Sequence, residues 1–211
     1  MINMQSVNKL LRNLIMFSIT IVMTGCGFSS KSPGQYIRYI EETDNGYRKE
    51  FVVDHWKYRV QYKPAAYIYM QESRTRPNRE GYKKRKEQLK GWLFFNMYVS
   101  HDSLKSAAPL RIVSGNKDQY DQLLSYYLNT NRANFSLLIG DKRIAATVYN
   151  YENSYSLSPQ DVFVLGFNVS DIAIKDGSKA ILEYDDNILK TGIVRFVFDA
   201  QIIIKSIELN I

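Results

Sequence analysis

The stretch Trp56-Lys-Tyr-Arg-Val-Gln-Tyr62 decides the fold. Large apolar side chains alternate strictly with polar ones along it, and a period of two places the two kinds on opposite faces of an extended strand. Alternation of this kind is typical of a strand with one buried face in an antiparallel sheet. The stretch therefore predicts a half-buried antiparallel strand with Trp56, Tyr58, Val60 and Tyr62 on one side.

The residues before this strand predict a β-hairpin. Gln35–Ile40 and Tyr47–Val53 are short aromatic or β-branched runs. The segment Thr43-Asp-Asn-Gly46 between them contains the Asn-Gly pair of a tight turn. Pro64 ends the central strand, and Ala65–Glu72 is compatible with a helical turn or with another strand.

The rest of the chain contains more strand patterns than helix patterns. One helix is expected between Asn78, a good N-cap, and Gly91, and another over Asn116–Asn129, where apolar residues recur at helical spacing. Strands are predicted at Gly91–Ser100, Phe135–Gly140, Arg143–Tyr151, Asp161–Val169, Lys179–Tyr184, Ile193–Phe198 and Gln201–Leu209. We expect a mainly β, β-rich α+β fold: an antiparallel β-sandwich or barrel-like sheet with one or two packed helices.

Length and composition narrow the class of protein. The chain has 211 residues, enough for a substantial core, and we expect residues 35–211 to form a single domain, with a break near residues 100–117 as the alternative. Its single Cys excludes a disulfide scaffold and a zinc cluster built on cysteines, and two His leave little room for a histidine metal site.

The first 25 residues predict a secretory signal peptide. Lys9 and Arg12 precede the apolar run Leu14–Met23, and two small residues follow it. A charged start, a short apolar centre and a small-residue exit define such a signal. The apolar run is shorter than the roughly 20 residues that span a bilayer.

The segment Met23-Thr-Gly-Cys26 resembles the lipobox of bacterial lipoproteins. The resemblance implies cleavage before Cys26 by signal peptidase II, a diacylglycerol on the Cys26 sulfur and an acylated amino group. An ordinary signal peptide or a short amino-terminal anchor is the alternative. The residues Gln35-Tyr-Ile-Arg-Tyr-Ile-Glu41, with Asn45-Gly46 and Gln61–Pro64, also resemble the opening of uncharacterised lipoproteins of Bacteroidota, which implies no activity.

Residues 26–34 are rich in Ser, Gly and Pro and predict a flexible tether that keeps the folded part near a bilayer. The residue directly after Cys26 is Gly27. A residue other than Asp at this position resembles the pattern that permits transfer to the outer membrane. An acidic cluster after the cysteine would resemble the surface-export signal of Bacteroidota lipoproteins, and the tether has none. We therefore expect a lipid-anchored protein of the outer membrane, on its periplasmic side rather than at the cell surface.

The excess positive charge is concentrated in one segment. Loss of residues 1–25 removes two bases and no acid, which lowers the net charge from +7 to +5, whereas residues 74–90 alone carry eight bases and two acids. This segment is either a solvated helix or a surface that contacts anionic head groups or an acidic partner. The candidate contact residues are Lys83, Lys84, Arg85 and Lys86. A nucleic-acid partner is not expected for an exported, lipid-anchored protein.

Aromatic residues crowd the first third of the folded part. Trp56, Tyr58 and Tyr62 could form a binding face that stacks on sugar rings or holds a protein partner. Packing across strands within the sheet explains the same residues and is the favoured interpretation.

Two short motifs match those of penicillin-recognising enzymes. Ser114-Gly-Asn-Lys117 fits S-x-x-K and Lys190-Thr-Gly192 fits K-T-G, with Tyr151-Glu-Asn153 between them. Those enzymes place the serine at the start of a buried helix in a large α/β domain, and this chain has too few predicted helices to build one. We interpret the matches as chance.

Two further groups of polar residues have the composition of a site. Glu183, Asp185 and Asn187 alternate along a strand end and could hold calcium, although a solvated turn fits better. His55 beside Asp54 and His101 beside Asp102 have the composition of an oriented general base, but neighbours in a strand point to opposite faces. We therefore expect no catalytic residues, no metal and no cofactor beyond the lipid on Cys26.

These patterns predict a non-enzymatic, lipid-anchored accessory or scaffold protein of a cell-envelope assembly. Acyl chains on Cys26 would hold it at the membrane, where it would bind a partner protein of the envelope. The alternative is a carbohydrate-binding or glycan-processing lipoprotein exposed at the cell surface.

Overall fold

The computed structural model describes residues 30–73, 76–153, 157–205, 207 and 209–211. The predicted signal peptide, the lipobox and Cys26 lie outside these residues. The described residues form six α-helices: α1 (Pro33–Glu41), α2 (Ala65–Glu72), α3 (Arg79–Gln88), α4 (Pro109–Val113), α5 (Lys117–Asn129) and α6 (Ala200–Ile204). They also form nine strands: β1 (Arg48–Val53), β2 (Trp56–Lys63), β3 (Trp92–His101), β4 (Phe135–Ile139), β5 (Lys142–Ala145), β6 (Val148–Glu152), β7 (Gln160–Asn168), β8 (Lys179–Asp186) and β9 (Gly192–Asp199).

Two antiparallel sheets pack face to face around the core. The larger has the strand order β1-β2-β3-β7-β6 and the smaller β5-β4-β8-β9. Strand β3 pairs with β7 over Trp92–Ser100 and Gln160–Asn168, so strands from both sides of residues 100–117 belong to one sheet. The β-rich α+β sandwich predicted from the sequence is confirmed, although it is not a closed barrel and has more helices than the one or two expected.

The central strand predicted from the alternating stretch is confirmed as β2. Its core-facing Tyr58 and Val60 are fully buried, and aromatic rings meet across the two sheets, as in the Phe95–Phe198 pair at 5.3 Å. Burying a large apolar side chain contributes about 1.5–3 kcal/mol. One polar residue of β2 departs from the predicted alternation: Gln61 is expected to face solvent but is only 2% exposed. Its amide nitrogen donates hydrogen bonds to the carbonyl oxygens of Ile40 (3.0 Å) and Tyr47 (3.1 Å), which fold over it.

The strand predicted at Gln35–Ile40 is wrong, because these residues lie in α1. Pro33 occupies the first helical turn, and Tyr36 and Ile40, four residues apart, are both fully buried on one helix face. Pro33 and Gly34, which the sequence predicts as the end of a flexible tether, lie in this helix. The hairpin therefore forms one strand later, between β1 and β2, with Asp54 at a φ of 52° in its two-residue turn.

One open alternative is decided and two further predictions change. Ala65–Glu72 is a helix, which decides between the two possibilities left open. Arg143–Tyr151 is not one strand, because the chain crosses from the small sheet (β5) to the large one (β6) around the buried Ala146. The strand predicted at Gln201–Leu209 is wrong for its first four residues, which lie in α6, whereas Leu209 forms a parallel bridge with Lys31.

Four of the helices, α1, α2, α3 and α6, lie at one end of the sandwich. At this end β2, β7 and β9 end and β3 begins, and we call it the helix end. The described chain also starts there, since Lys31 pairs with Leu209. The opposite, hairpin end carries the β1–β2 turn and the loop that follows His101. No helix in the described part of the chain has the length and apolar character needed to span a membrane.

Candidate functional site

The basic segment forms α3, as the sequence predicts. Asn78 caps the helix, since its Oδ1 accepts a hydrogen bond from the Gly81 N–H (2.8 Å). Glu80 lies in the first turn and Arg85 and Lys86 in the last, which complements the helix dipole. None of the ten helical residues is buried, so α3 contributes little to the core.

Contacts with α2 hold α3 on the surface. A Cβ atom at Gly81 would lie 2.7 Å from Tyr69 Oη, so glycine permits the two helices to approach this closely. The Tyr69 and Tyr82 rings meet at 5.9 Å. Arg85 donates two hydrogen bonds to the carboxylate of Glu72, at 2.6 and 2.7 Å. The glycine that weakens the first turn in isolation therefore serves the packing.

Most of the positive charge in this segment is not neutralised within the described structure. Residues 76–90 carry seven bases and two acids, and Arg85 alone among these bases forms an ion pair with a described residue. Lys83, Lys84 and Lys86 are exposed, and we call them the cationic surface. Arg85, the fourth residue predicted for this contact, is instead half-buried against Glu72.

A groove of about 720 Å³ opens at the helix end, where α3 leads into β3. Its apolar lining includes Tyr62, Leu93, Val169, Ile172, Ile203 and Ile204. One wall is fixed by the close approach of Gly91 (φ +77°) to Ser170, with the Val169 N–H donating to the Gly91 carbonyl oxygen at 2.7 Å. The charged residues among the described lining of the groove are Glu87 and Lys90. Sequence patterns give no signal for it, since four distant segments build it.

The aromatic binding face predicted at Trp56, Tyr58 and Tyr62 is not an open surface. Tyr58 is 0% exposed and Tyr62 5%, because both point into the core, and Trp56 packs edge-on against His101 at 5.1 Å. The half-buried aromatics of the large sheet lie on its outer face, where Trp92 stacks on Phe94 at 5.9 Å. They alternate along β3 with the buried Leu93 and Phe95. Because all four residues are large and apolar, the sequence does not distinguish the two faces.

The two histidines meet at the hairpin end around one carboxylate, that of Asp102, which is adjacent in sequence to His101 but not to His55. Asp102 lies 3.2 Å from His101 Nδ1 and 3.6 Å from His55 Nδ1, and the imidazole rings stack at 5.6 Å. His101 Nδ1 also accepts hydrogen bonds from the backbone N–H groups of Ser103 (3.2 Å) and Leu104 (3.1 Å). This arrangement orders the loop after β3.

The penicillin-recognition motifs are not assembled into a cleft of the expected kind. Ser114 caps the end of the short helix α4, and Lys117 is exposed and paired with Asp121 at 2.6 Å. Lys190 has a φ of 58° in the turn between β8 and β9.

The predicted calcium ligands do not converge either. Glu183 is buried between Arg143 and Arg195 on the outer face of the small sheet. No cluster of three or more His, Cys, Asp or Glu side chains suited to a metal ion occurs within the described ranges.

Two buried carboxyl groups were missed by the sequence analysis. Asp161 accepts hydrogen bonds from the Tyr151 hydroxyl (2.6 Å) and the Leu110 N–H (2.8 Å), and burial raises its pKa to about 6. Asp186 accepts from the Tyr58 hydroxyl (2.7 Å), and burial raises its pKa as well. The signal in the sequence is an acidic residue at a core-facing position of a strand, Asp161 in β7 and Asp186 in β8.

Comparison with known proteins gives no relative from which to assign a function: the chain matches no known protein family, no curated protein and no solved structure.

Proposed function

We infer that this protein is a non-enzymatic, lipid-anchored accessory protein of a cell-envelope assembly. A lipid on Cys26 would hold it at the outer membrane, on the periplasmic side, and the cationic surface would bind a partner protein. The observation that carries this proposal is the charge of α3, which is exposed, contributes no buried residue and is largely unneutralised by its own chain.

Charge of this kind favours an external contact. Lys83, Lys84 and Lys86 lie within one helical turn, where like charges repel one another, and none forms an ion pair within the described residues. An acidic surface on a partner relieves this repulsion and steers association toward α3. The contacts with α2 keep the helix in place before the partner arrives, which lowers the entropy lost on binding.

The position of the described amino terminus supports a membrane-proximal arrangement. Cys26 precedes Lys31 by five residues, a span of at most about 17 Å when extended. Lys31 is fixed at the helix end through Leu209, and α3 lies at the same end. A lipid on Cys26 would therefore confine α3 to a thin layer beside the bilayer, which raises its effective concentration for a membrane-resident partner.

A cross-linked pull-down from cells tests the contact. The variant Lys83→Gln/Lys84→Gln/Lys86→Gln is compared with Lys142→Gln/Lys175→Gln/Lys179→Gln, which removes three exposed lysines elsewhere. We expect the wild-type and control proteins to recover the same envelope protein and the first variant to lose most of it, with recovery falling as salt rises. Equal recovery by both triple variants, or recovery of the chain alone, contradicts the proposal.

Mass spectrometry of the exported chain tests the anchor separately. We expect a product that begins at Cys26 and carries a diacylglyceryl group, and no such lipid-bearing product from a Cys26→Ser variant. A mature product cut elsewhere and free of lipid would refute the anchor while leaving the pull-down result intact.

A second candidate function, glycan binding, is favoured by the outer face of the large sheet. Stacked, half-buried Trp92 and Phe94 lie on the same strand face as Asn96, whose buried Oδ1 has no hydrogen-bond partner among the described atoms. Aromatic rings and amides are the groups that proteins use for sugar rings. Protease treatment of intact cells separates the two functions, since survival of the folded part rules out a glycan-binding role at the cell surface.

A further inference from the structure

We propose that the groove at the helix end binds a long-chain fatty acid, with its hydrocarbon chain between the apolar walls and its carboxylate beside Lys90. This proposal does not depend on partner binding by the cationic surface, and only the route from a bilayer to the groove rests on the proposed lipid anchor.

The lining of the groove fits a hydrocarbon chain better than a peptide. Tyr62, Leu93 and Val169 form its buried part, and Ile204, 45% exposed, lies at the open side. The uncharged polar side chains that line it among the described residues are Tyr62 and Ser170, too few to pair with the backbone N–H and C=O groups that a peptide would bring. Its volume of about 720 Å³ falls within the range of pockets that enclose one small ligand.

Charge selects the head group. Lys90 is exposed at the rim and forms no ion pair with a described residue. Glu87 also lines the groove, but the surrounding segment, residues 76–90, has five more bases than acids. The net field at this rim therefore favours an anion, and a single carboxylate beside Lys90 satisfies it.

The groove also lies close to where the described chain starts. A series of contacts joins the two: Lys31 Nζ lies 4.7 Å from the centre of the Tyr39 ring, Tyr39 meets Tyr47 at 6.0 Å, and Tyr47 stacks at 6.2 Å on Tyr62 in the groove lining. An amphiphile that leaves a bilayer near the amino terminus would reach the groove without crossing the sandwich.

Calorimetric titration of the full chain carrying Cys26→Ser, so that no covalent lipid competes, tests the proposal with octanoate, decanoate and dodecanoate. We expect affinity to rise about fourfold for each added methylene group until the groove is full. Decanoate should bind several-fold more tightly than decanol, and Lys90→Gln should remove that preference while Lys142→Gln leaves it unchanged. Affinity that does not depend on chain length, or equal binding of decanoate and decanol, overturns the proposal.

Tryptophan fluorescence locates the bound chain. The protein has two tryptophans: Trp92 lines the groove, whereas Trp56 pairs with His101 at the other end of β3, about 30 Å away. A brominated fatty acid should quench Trp92 in the Trp56→Phe variant and leave Trp56 unquenched in the Trp92→Phe variant. Ile204→Gln should weaken binding about tenfold, and Ile193→Gln, a comparably exposed isoleucine on the small sheet, should have no effect. Quenching of Trp56, or equal effects of the two isoleucine variants, excludes this groove.

Discussion

Asp161 places a carboxyl group on the core face of β7, where only 1% of the residue is exposed. Burial raises its pKa from the ordinary 3.8 to about 6. Between these two values the folded state binds more protons than the unfolded chain, so the free energy of unfolding must fall as pH rises from about 4 to about 6. The expected loss is up to about 3 kcal/mol.

Urea unfolding at a series of pH values measures this loss. Asp161→Asn should reduce the fall in the free energy of unfolding between pH 4 and 6. The contribution of Asp186 should remain, since its raised pKa acts in the same direction. Asp141→Asn, an exposed aspartate, serves as the control and should keep the wild-type slope. A stability that increases over this pH range contradicts the assignment.

Tyr127 presents the opposite situation, a buried hydroxyl without a partner among the described atoms. Its ring packs against Tyr151 and Phe163, each at 5.0 Å. Tyr127→Phe keeps this packing and removes the unsatisfied hydroxyl, so the free energy of unfolding should rise by about 1 kcal/mol. Tyr151→Phe is the matched comparison and should lower it by about 1–3 kcal/mol, because the Tyr151 hydroxyl donates to Asp161. Equal effects of the two variants in urea unfolding would refute this distinction.

At the scale of single elements, the contact between α2 and α3 overrides intrinsic helix propensity. In a helix interior, Ala is about 1 kcal/mol more stabilising than Gly. However, a Cβ atom at Gly81 would lie 2.7 Å from Tyr69 Oη. The Tyr69 hydroxyl has little freedom to move, since it hydrogen-bonds both the N–H and the C=O of Asn78. We therefore expect Gly81→Ala to reduce protection of the α3 amides in hydrogen exchange. In a Tyr69→Phe background the same substitution should increase protection, and an increase in both backgrounds contradicts the argument.

The sequence predicts an element well when one pattern dominates it. Strand β2 has strict alternation, and α5 has both a cap at Asn116 and helical spacing, so both are confirmed. In Gln35–Ile40 the β-branched and aromatic residues favour a strand, but Tyr36 and Ile40 also fit one helix face. Packing of that face against the sandwich decides the outcome, and a local pattern contains no information about it.

At the scale of the whole molecule, the candidate sites depend on contacts between segments far apart in sequence. The charge of α3 is visible in the composition of residues 74–90, but the pairing of Arg85 with Glu72 is not. The groove joins Tyr62, Leu93, Val169 and Ile203, which only the paired sheets bring together. Likewise, the two histidines share Asp102 because β2 and β3 are in register, with Trp56 opposite His101.

One core joins the two sheets, and this predicts cooperative unfolding. Buried side chains from Tyr36 to Leu209 form a single cluster, and β3 pairs with β7 across the loop at residues 100–117. Single-tryptophan variants report on the two ends: Trp92→Phe leaves Trp56 at the hairpin end, and Trp56→Phe leaves Trp92 at the helix end. For each variant, the urea transition measured by tryptophan fluorescence is compared with the transition measured by circular dichroism. The two should coincide in a single step. A fluorescence transition at the helix end that precedes the loss of sheet signal would show instead that α3, the groove and α6 unfold as a separate unit.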